Sequence, residues 1–539
     1  MLLCGWGLNM KCRRSLLKTI FLLSCLITAG VILFKGKGIK ISSLNNQVVE
    51  NQKSDENATY GVSTSNVFAT EVGMQILESG GNAVDAAIAI SYVLGVVQPD
   101  GSGIGGGGAM LIYDPSTDNY DFFNYRDSAP ISSSIKLNDI GVPGFVKGME
   151  TVHSVYGTMA LADLIQPAID YAENGFKLYS DLAQKISASE DYFLSNDLFT
   201  TKGRILKEGE LVKQPELAAT LRLIQQQGSE AFYEGEIAQQ IVNSSTLTLE
   251  DLASYEVKRD EPVIGTYEGY TVVSAPAPCS GVTLIQMLKM FEKINIANPA
   301  TDPNKYLDQL NLVTQIAAAD RIKNLSDPDF YTIDEQQLVS DSYIDYLLSI
   351  GSVEFEDDKE HESTTHFVVL DKDGMMVSCT NTLGNFWGFK QNVSGIFLNA
   401  ALNNFSESNT GINRYEPGKQ PRNFTSPTII SKDDMMFGIG TPGGSRILKI
   451  MAPILLENLH FGADLQTAIN KARVIFKNPT SLYVEVNNMD PIVDYQNSSY
   501  SLIKQSNPSY FGAVQVIGKS NEGIYGATDY RRHGSYLIK

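Results

Sequence analysis

The stretch His361–Gly388, HESTTHFVVLDKDGMMVSCTNTLGNFWG, constrains the fold more than any other part of the chain. Two apolar runs alternate with period two, His366–Asp371 and Met375–Thr380, and Asp373-Gly374 lies between them. An Asp-Gly pair between such runs marks a β-hairpin, because glycine accepts the positive φ of a tight turn. The first strand opens on paired threonines, Thr364 and Thr365. A threonine in that place is by default a β-former carrying a hydroxyl, and it becomes a nucleophile only beside a base. Cutting the peptide bond before Thr364 would expose an α-amine next to its own hydroxyl, and such an amine has a reference pKa of about 7.7–8.0. One residue would then supply nucleophile and general base together. Nothing in the periodicity says that the cut occurs.

At 539 residues the chain exceeds the core of one typical domain, so one large or two intimately packed domains are expected. Its 61 acidic against 42 basic residues give a net charge of −19, which argues against nucleic acid as a partner. A polyanionic substrate would need a local basic pocket. Of five cysteines only Cys279 and Cys379 lie in the body, without metal-ligand spacing. Buried free thiols are expected, with a disulfide between them left open, and no metal or cofactor is implied.

Thr19–Phe34 is free of charge, and with Ser15–Lys18 at one end it makes a helix of about 20 residues, roughly the 30 Å of a hydrocarbon core. Basic residues flank it on both sides, so orientation is not fixed by charge. Residues 1–40 read as a signal or membrane anchor with the body exported. Leu22-Leu23-Ser24-Cys25 resembles a lipoprotein box, but apolar residues continue past Cys25. Lipidation, a cleaved signal and an uncleaved anchor all stay open, the anchor foremost. Residues 41–60 are polar and aperiodic and read as a tether.

In the body, Ala69–Leu77 has helical spacing and Asn82 caps a second helix, Ala83–Val97. The glycine run Gly101–Gly108 contains GxGxxG, but a helix precedes it and a strand, Ala109–Tyr113, follows. A dinucleotide fingerprint needs the reverse order, and no GK[ST] supports a P-loop. The run instead suits close backbone packing. Helical patterns cover Leu211–Gln227, Glu234–Val242, Leu247–Tyr255, Val282–Lys293 and Asp341–Leu348, and Glu261–Ala275 alternates like strands. In Gly438–Arg446, GIGTPGGSR, two glycines stand before the apolar helix Ile447–Leu456. They present free backbone amides, as an oxyanion hole requires, although a tight turn is the commoner use. The five histidines are scattered, GxSxG is absent, and they read as structural.

The block Gly80–Asp114, the Tyr125-Arg126-Asp127 motif and the ESTTHF stretch resemble the signatures of γ-glutamyltransferases. The resemblance runs from roughly Tyr60 to Gly534. It implies the four-layer αββα sandwich of N-terminal nucleophile hydrolases, an α/β fold. It also implies self-cleavage between Ser363 and Thr364 into a large subunit, 61–363, and a small subunit, 364–539, paired as a heterodimer. Thr364 would attack a γ-glutamyl amide, Thr382 would orient it, and the Gly443 and Gly444 amides would hold the oxyanion. Arg126 would bind the α-carboxylate, which suits a planar bidentate guanidinium. The partners implied are a γ-glutamyl donor and an amine or water acceptor.

Departures from the family pattern bear on the substrate. The position that holds an Asp for the donor's free α-amine in glutathione-type members is Asn404, with Ala401 replacing a Gln. Gly384 stands at an acceptor-side position, and Asn423 and Phe424 replace two serines. Inside poly-γ-glutamate each α-amine is an amide, so no carboxylate partner is needed, whereas extra arginines would pair the polymer's α-carboxylates. Arg446 and Arg532 are candidates. These features are similar to the capsule-processing, CapD-type branch, whose members cut poly-γ-D-glutamate and attach it to peptidoglycan. A surface location follows from that resemblance. Two rivals stay open: a general glutathione hydrolase, and an uncut, inactive protein that binds glutamate polymers.

Overall fold

The computed structural model describes residues 55–351, 363–408, 410–486 and 499–539. The apolar run Thr19–Phe34, most of the tether and the acidic stretch before Ser363 lie outside the described residues. Among the described residues no helix is long and apolar enough to cross a membrane. The end of the expected tether is fastened to the body: Asp55 bridges to Ile524, and the Thr59 and Tyr60 amides donate to the Lys539 carbonyl at 2.6 and 3.0 Å.

Thirteen strands form the two main sheets. They are β1 (Gly61–Thr64), β2 (Gly107–Asp114), β3 (Asn119–Tyr125), β4 (Lys258–Asp260), β5 (Val263–Tyr267), β6 (Tyr270–Ser274) and β7 (Ser363–Leu370), then β8 (Met376–Gly384), β9 (Thr428–Lys432), β10 (Met435–Gly440), β11 (Gln515–Ser520), β12 (Gly523–Thr528) and β13 (Ser535–Ile538). The first sheet runs β13-β1-β7-β8-β2-β3-β4 and the second β12-β11-β10-β9-β6-β5. Every neighbouring pair within them is antiparallel.

Side-chain alternation builds the layers. On β7, Val368 and Leu370 join Leu111, Ile429 and Ile517 in an apolar core between the sheets. Phe367 and Val369 point the other way, into a core shared with helices α1 (Val67–Glu78), α2 (Ala83–Val97), α3 (Phe145–Tyr156), α4 (Leu161–Asn174) and α5 (Pro215–Gln227). A third core lies between the second sheet and α6 (Gly281–Lys293), α7 (Pro303–Asn324) and α8 (Ile447–Leu455). The result is helix, sheet, sheet, helix: the four-layer αββα sandwich. Each fully buried Leu or Phe in these cores contributes about 1.5–3 kcal/mol.

Local chemistry fixes the elements around β7. Asn82 and Asp85 form a reciprocal capping box at the start of α2. The hairpin turn is longer than a two-residue Asp-Gly turn, since Leu370 pairs with Met376. Asp371 organises it, its carboxylate accepting from the Asp373 and Met375 amides at 3.0 Å and from Ala83 of α2 at 2.9 Å. The glycine run packs as expected: a Cβ on Gly106 would lie 2.3 Å from the Thr382 carbonyl oxygen, and one on Gly107 would lie 3.0 Å from the Arg126 Cα.

One expectation needs correction. Leu211–Val212 is not the start of a helix but a short strand pairing with Phe176–Lys177, and the helix begins at Pro215. Helix α7 stands where no helical pattern is evident in the sequence. Both body cysteines are buried free thiols, and burial pushes Cys379 up to about 12.

Candidate active site

Thr364 is the second residue of β7, a strand interior to its sheet. The register slips there: Ser363 pairs with Gly384 and Thr365 with Asn381, so β8 carries one residue more than β7 across this step. The slip sets Thr382 beside Thr364. Their hydroxyl oxygens lie 3.4 Å apart, and each donates to the Ser363 carbonyl oxygen at 2.5 Å. The Gly384 amide donates to the Thr382 hydroxyl at 2.9 Å, leaving that hydroxyl's proton for the carbonyl. Ser363 is held from its other side, its Oγ donating to the carbonyls of Asp100 and Gly101 at 2.6 and 3.0 Å. All three residues are nearly inaccessible. Two hydroxyls thus converge on the one peptide bond whose cleavage would free the Thr364 amine.

Alternation puts Thr364, His366 and Val368 on the face of β7 that meets the second sheet. Strand β10 crosses that face on bare glycines: a Cβ on Gly438 would strike Val368 and one on Gly440 would strike the His366 ring. This progression, Gly438 over Val368 and Gly440 over His366, runs along β7 in the direction of its Thr364 end, and Pro442 and the glycine pair follow β10 in sequence. Gly443 has φ +146° and Gly444 φ +56°, the region that favours glycine. A 3₁₀ turn, Gly444–Arg446, separates the pair from α8, with Arg446 N donating to Gly443 O at 3.1 Å. Neither glycine amide donates to a described residue.

His366 is fully buried, with Nδ1 on the Thr380 hydroxyl at 2.9 Å. Burial pulls its pKa down to about 3, so the imidazole is neutral at working pH and no cation stands beside Thr364 on this strand. It is packing, in keeping with a structural histidine.

Arg126 follows β3 directly, and β3, β2 and β8 are successive neighbours, so its backbone stands two strands from Thr382. The side chain is buried, yet Nε and Nη1 make no hydrogen bond, and Nη2 is 3.9 Å from Asp127. Burial pushes the Asp127 carboxyl up to about 7, against the opposing pull of Arg126. A buried guanidinium with two donors unused is a ready partner for a planar carboxylate.

Arg446 and Arg532 come together. Arg446 Nε donates to the Tyr510 carbonyl at 2.9 Å and its guanidinium stacks 4.1 Å from the Tyr510 ring centre. Arg532 Nε and Nη2 donate to the adjacent Ser509 carbonyl at 3.0 and 2.8 Å. Asn404 ends a 3₁₀ turn that leans on the end of β8, where Ala400 N donates to Leu383 O at 2.8 Å. Its amide donates to the Ala401 carbonyl of its own turn at 3.0 Å. Arg422 donates to the Ile322 carbonyl at 3.0 Å and so closes the end of α7. Asp100 and Gly101 hold Ser363 through backbone acceptors, which leave no trace in residue type. Among the described residues no group of three or more His, Cys, Asp and Glu side chains is placed to hold a metal.

Comparison with known proteins matches residues 69–538 to the gamma-glutamyltranspeptidase family. The chain belongs to the γ-glutamyltranspeptidase family. It is 42% identical to the capsule biosynthesis protein CapD proenzyme of Bacillus anthracis, across 96% of this chain and 97% of that one. It is 31% identical to the glutathione hydrolase proenzyme of Bacillus subtilis strain 168, with the same coverage. Among solved structures, cephalosporin acylase from Bacillus halodurans superposes with a TM-score of 0.81 over 93% of this chain and 99% of that one, at 25% identity. This γ-glutamyltranspeptidase is therefore an enzyme of γ-glutamyl transfer and hydrolysis, with the N-terminal nucleophile fold that its ESTTHF stretch implied.

Proposed function

We propose that this γ-glutamyltranspeptidase cuts itself between Ser363 and Thr364 and then uses Thr364 to process poly-γ-glutamate. The convergence of the Thr364 and Thr382 hydroxyls on the Ser363 carbonyl carries the reading. In the precursor, Thr364 Oγ attacks the Ser363 carbonyl carbon while Thr382 stabilises the oxygen. The C–N bond breaks, the nitrogen takes the proton and an ester remains. Water hydrolyses that ester, leaving a Ser363 carboxylate and a free Thr364 amine. The large subunit is then 61–363 and the small subunit 364–539.

In the mature enzyme the Thr364 amine takes the hydroxyl proton as Oγ attacks a γ-amide carbonyl, and returns it to the departing amine. Thr382 orients Thr364. The amides of Gly443 and Gly444 receive the oxyanion, and Arg126 takes the α-carboxylate. The γ-glutamyl ester then passes to an amine or to water.

The polymer substrate is supported by the CapD relative, by an amide rather than a carboxylate at Asn404, and by Arg446 and Arg532 on adjacent carbonyls, a basic locus in a chain of net charge −19. A glutathione-hydrolase role is the second reading, favoured by relatives of that name. Substrate and the apolar run Thr19–Phe34 together support an N-terminal anchor with the body at the cell surface and a cell-wall amine as acceptor.

Denaturing electrophoresis with intact mass on wild type and Thr364→Ala tests the core of this. Wild type gives two fragments, the smaller beginning at Thr364, and the variant stays whole. A wild type that remains one chain overturns self-processing and leaves a glutamate-polymer binding protein. Comparing turnover of poly-γ-glutamate with that of glutathione decides the substrate.

A further inference from the structure

A buried ion bridge stands behind the bond proposed to be cut. The Asp100 side chain is almost fully buried, and Lys185 Nζ lies 2.6 Å from its Oδ2. Lys185 belongs to the last turn of the helix Ser180–Ser187, and its ammonium also lies 2.7 Å from Asp181. The ammonium thus bridges two carboxylates at charge-assisted contact distance. Among the described residues Lys185 is the only cation paired with Asp100.

The backbone of Asp100 does the second half of the work. Its carbonyl accepts from Ser363 Oγ at 2.6 Å and from the Trp387 amide at 3.2 Å. Gly101, the next residue, accepts from Ser363 Oγ and from the Leu383 amide. A Cβ on Gly101 would lie 2.9 Å from Thr365. The Asp100–Gly101 backbone is therefore a clamp that fixes both Ser363 and the end of β8 on which Thr382 is carried.

We propose that Lys185 is a positioning residue for self-cleavage, anchoring Asp100 so that its loop holds the Ser363 carbonyl under the Thr364 and Thr382 hydroxyls. The inference rests on the self-processing reading above. An unneutralised carboxylate buried this deeply would take up a proton or draw its segment toward water. Either response shifts a carbonyl in the same residue, and a displacement near 1 Å at a reacting bond costs on the order of 100-fold in rate.

The same ammonium reaches the polymer arginines. Asp181 accepts from Ser509 Oγ at 2.9 Å, and the Ser509 carbonyl accepts from Arg532. The Phe386 ring lies between the two cations, 5.3 Å from Lys185 and 6.0 Å from Arg532. Asp100, Asp181 and Lys185 precede the cut, whereas Phe386, Ser509 and Arg532 follow it. One bridge thus joins the segment to be cut with a residue of the proposed substrate site, across the two future chains.

The experiment follows fragment appearance and the thermal midpoint in wild type, Lys185→Met, Lys185→Arg and the neutral pair Asp100→Asn/Lys185→Met. Lys185→Met slows self-cleavage at least about tenfold, and Lys185→Arg recovers most of the rate. The neutral pair removes the uncompensated charge, so it keeps a midpoint near wild type, but it also lacks the contact that anchors the Asp100 side chain, so it still cleaves slowly. A neutral pair cutting at the wild-type rate overturns the proposal, as does Lys185→Arg being as slow as Lys185→Met. A wild type that never cuts overturns the underlying self-processing reading, which the variant series then distinguishes from a failure of Lys185 alone.

Discussion

Arg531 and Arg126 are both almost fully buried, and their surroundings are opposite. Arg531 lies between Glu485 and Asp529, with Nε and Nη2 each 2.6 Å from a Glu485 oxygen and Nη1 on Asp529 and the Ile469 carbonyl. All three of its nitrogens are engaged. Arg126 has one distant carboxylate and two nitrogens without a partner. The first guanidinium is a strut whose donors are committed within the fold. The second has its desolvation already imposed and its donors held back, which is the condition for receiving a planar anion. Burial alone does not separate the two uses, whereas hydrogen-bond completion does.

Breaking each side should give different symptoms. Arg531→Met leaves Glu485 and Asp529 short of a partner and should destabilise the fold by about 3–5 kcal/mol, read as a lower midpoint in urea, with kcat/KM of the folded fraction unchanged. Arg126→Ala should lower kcat/KM for γ-glutamyl donors by about 10²–10³-fold with a midpoint close to wild type, because neighbouring Asp127, with its pKa near 7, can become neutral. A collapsed midpoint for Arg126→Ala would place it with Arg531 and erase the distinction. Gly443→Ala forces a side chain onto φ +146° and should turn the proposed oxyanion donors aside, costing about 10²-fold in kcat.

A gentler probe uses acid. His366 is a third buried cationic side chain in kind, but it is held neutral. Its folded pKa of about 3 lies below the unfolded value near 6.5, so below pH 6.5 the unfolded chain binds a proton that the folded one refuses. Stability should therefore fall with acidification from pH 6.5 toward 3, by up to about 1.4 kcal/mol per pH unit. His366→Gln should remove that slope in urea titrations while leaving the pH profile of kcat in place. The smallest effect is expected from Asn404→Asp, which should shift the glutathione-to-polymer kcat/KM ratio a few-fold toward glutathione, read in a paired assay; a shift toward the polymer would count against the substrate reading.

The sequence spoke clearly where local chemistry decides structure. Asn82 announced α2 because a cap is a property of a few adjacent residues, and β7 and β8 were readable because short apolar runs bounded by a turn signal mark strands buried on both faces. Helix α7 was missed although Asp302 and Pro303 mark its start. Its buried residues, among them Tyr306, Leu310, Asn311, Ile316 and Arg321, mix polar with apolar and do not form one clean stripe. The hairpin was legible and its turn was not, since Asp371 draws on a helix distant in sequence. At the site, residue motifs pointed to Thr364, Thr382, Gly443 and Gly444. The carbonyls of Asp100 and Gly101 and the ammonium of Lys185 enter through tertiary packing, which no motif records.

Strand β1 lies between β7 and β13, and β2 pairs with β8, so segments from before and after Ser363 alternate across one sheet. Severing a single bond in such a weave changes the order of the folding reaction. The precursor folds as one molecule, at a rate independent of dilution. The cut protein, once fully denatured, must find its other half, and its recovery depends on concentration. Cleavage as proposed would make maturation a ratchet: the chain would carry the instructions for its shape only until it first used them.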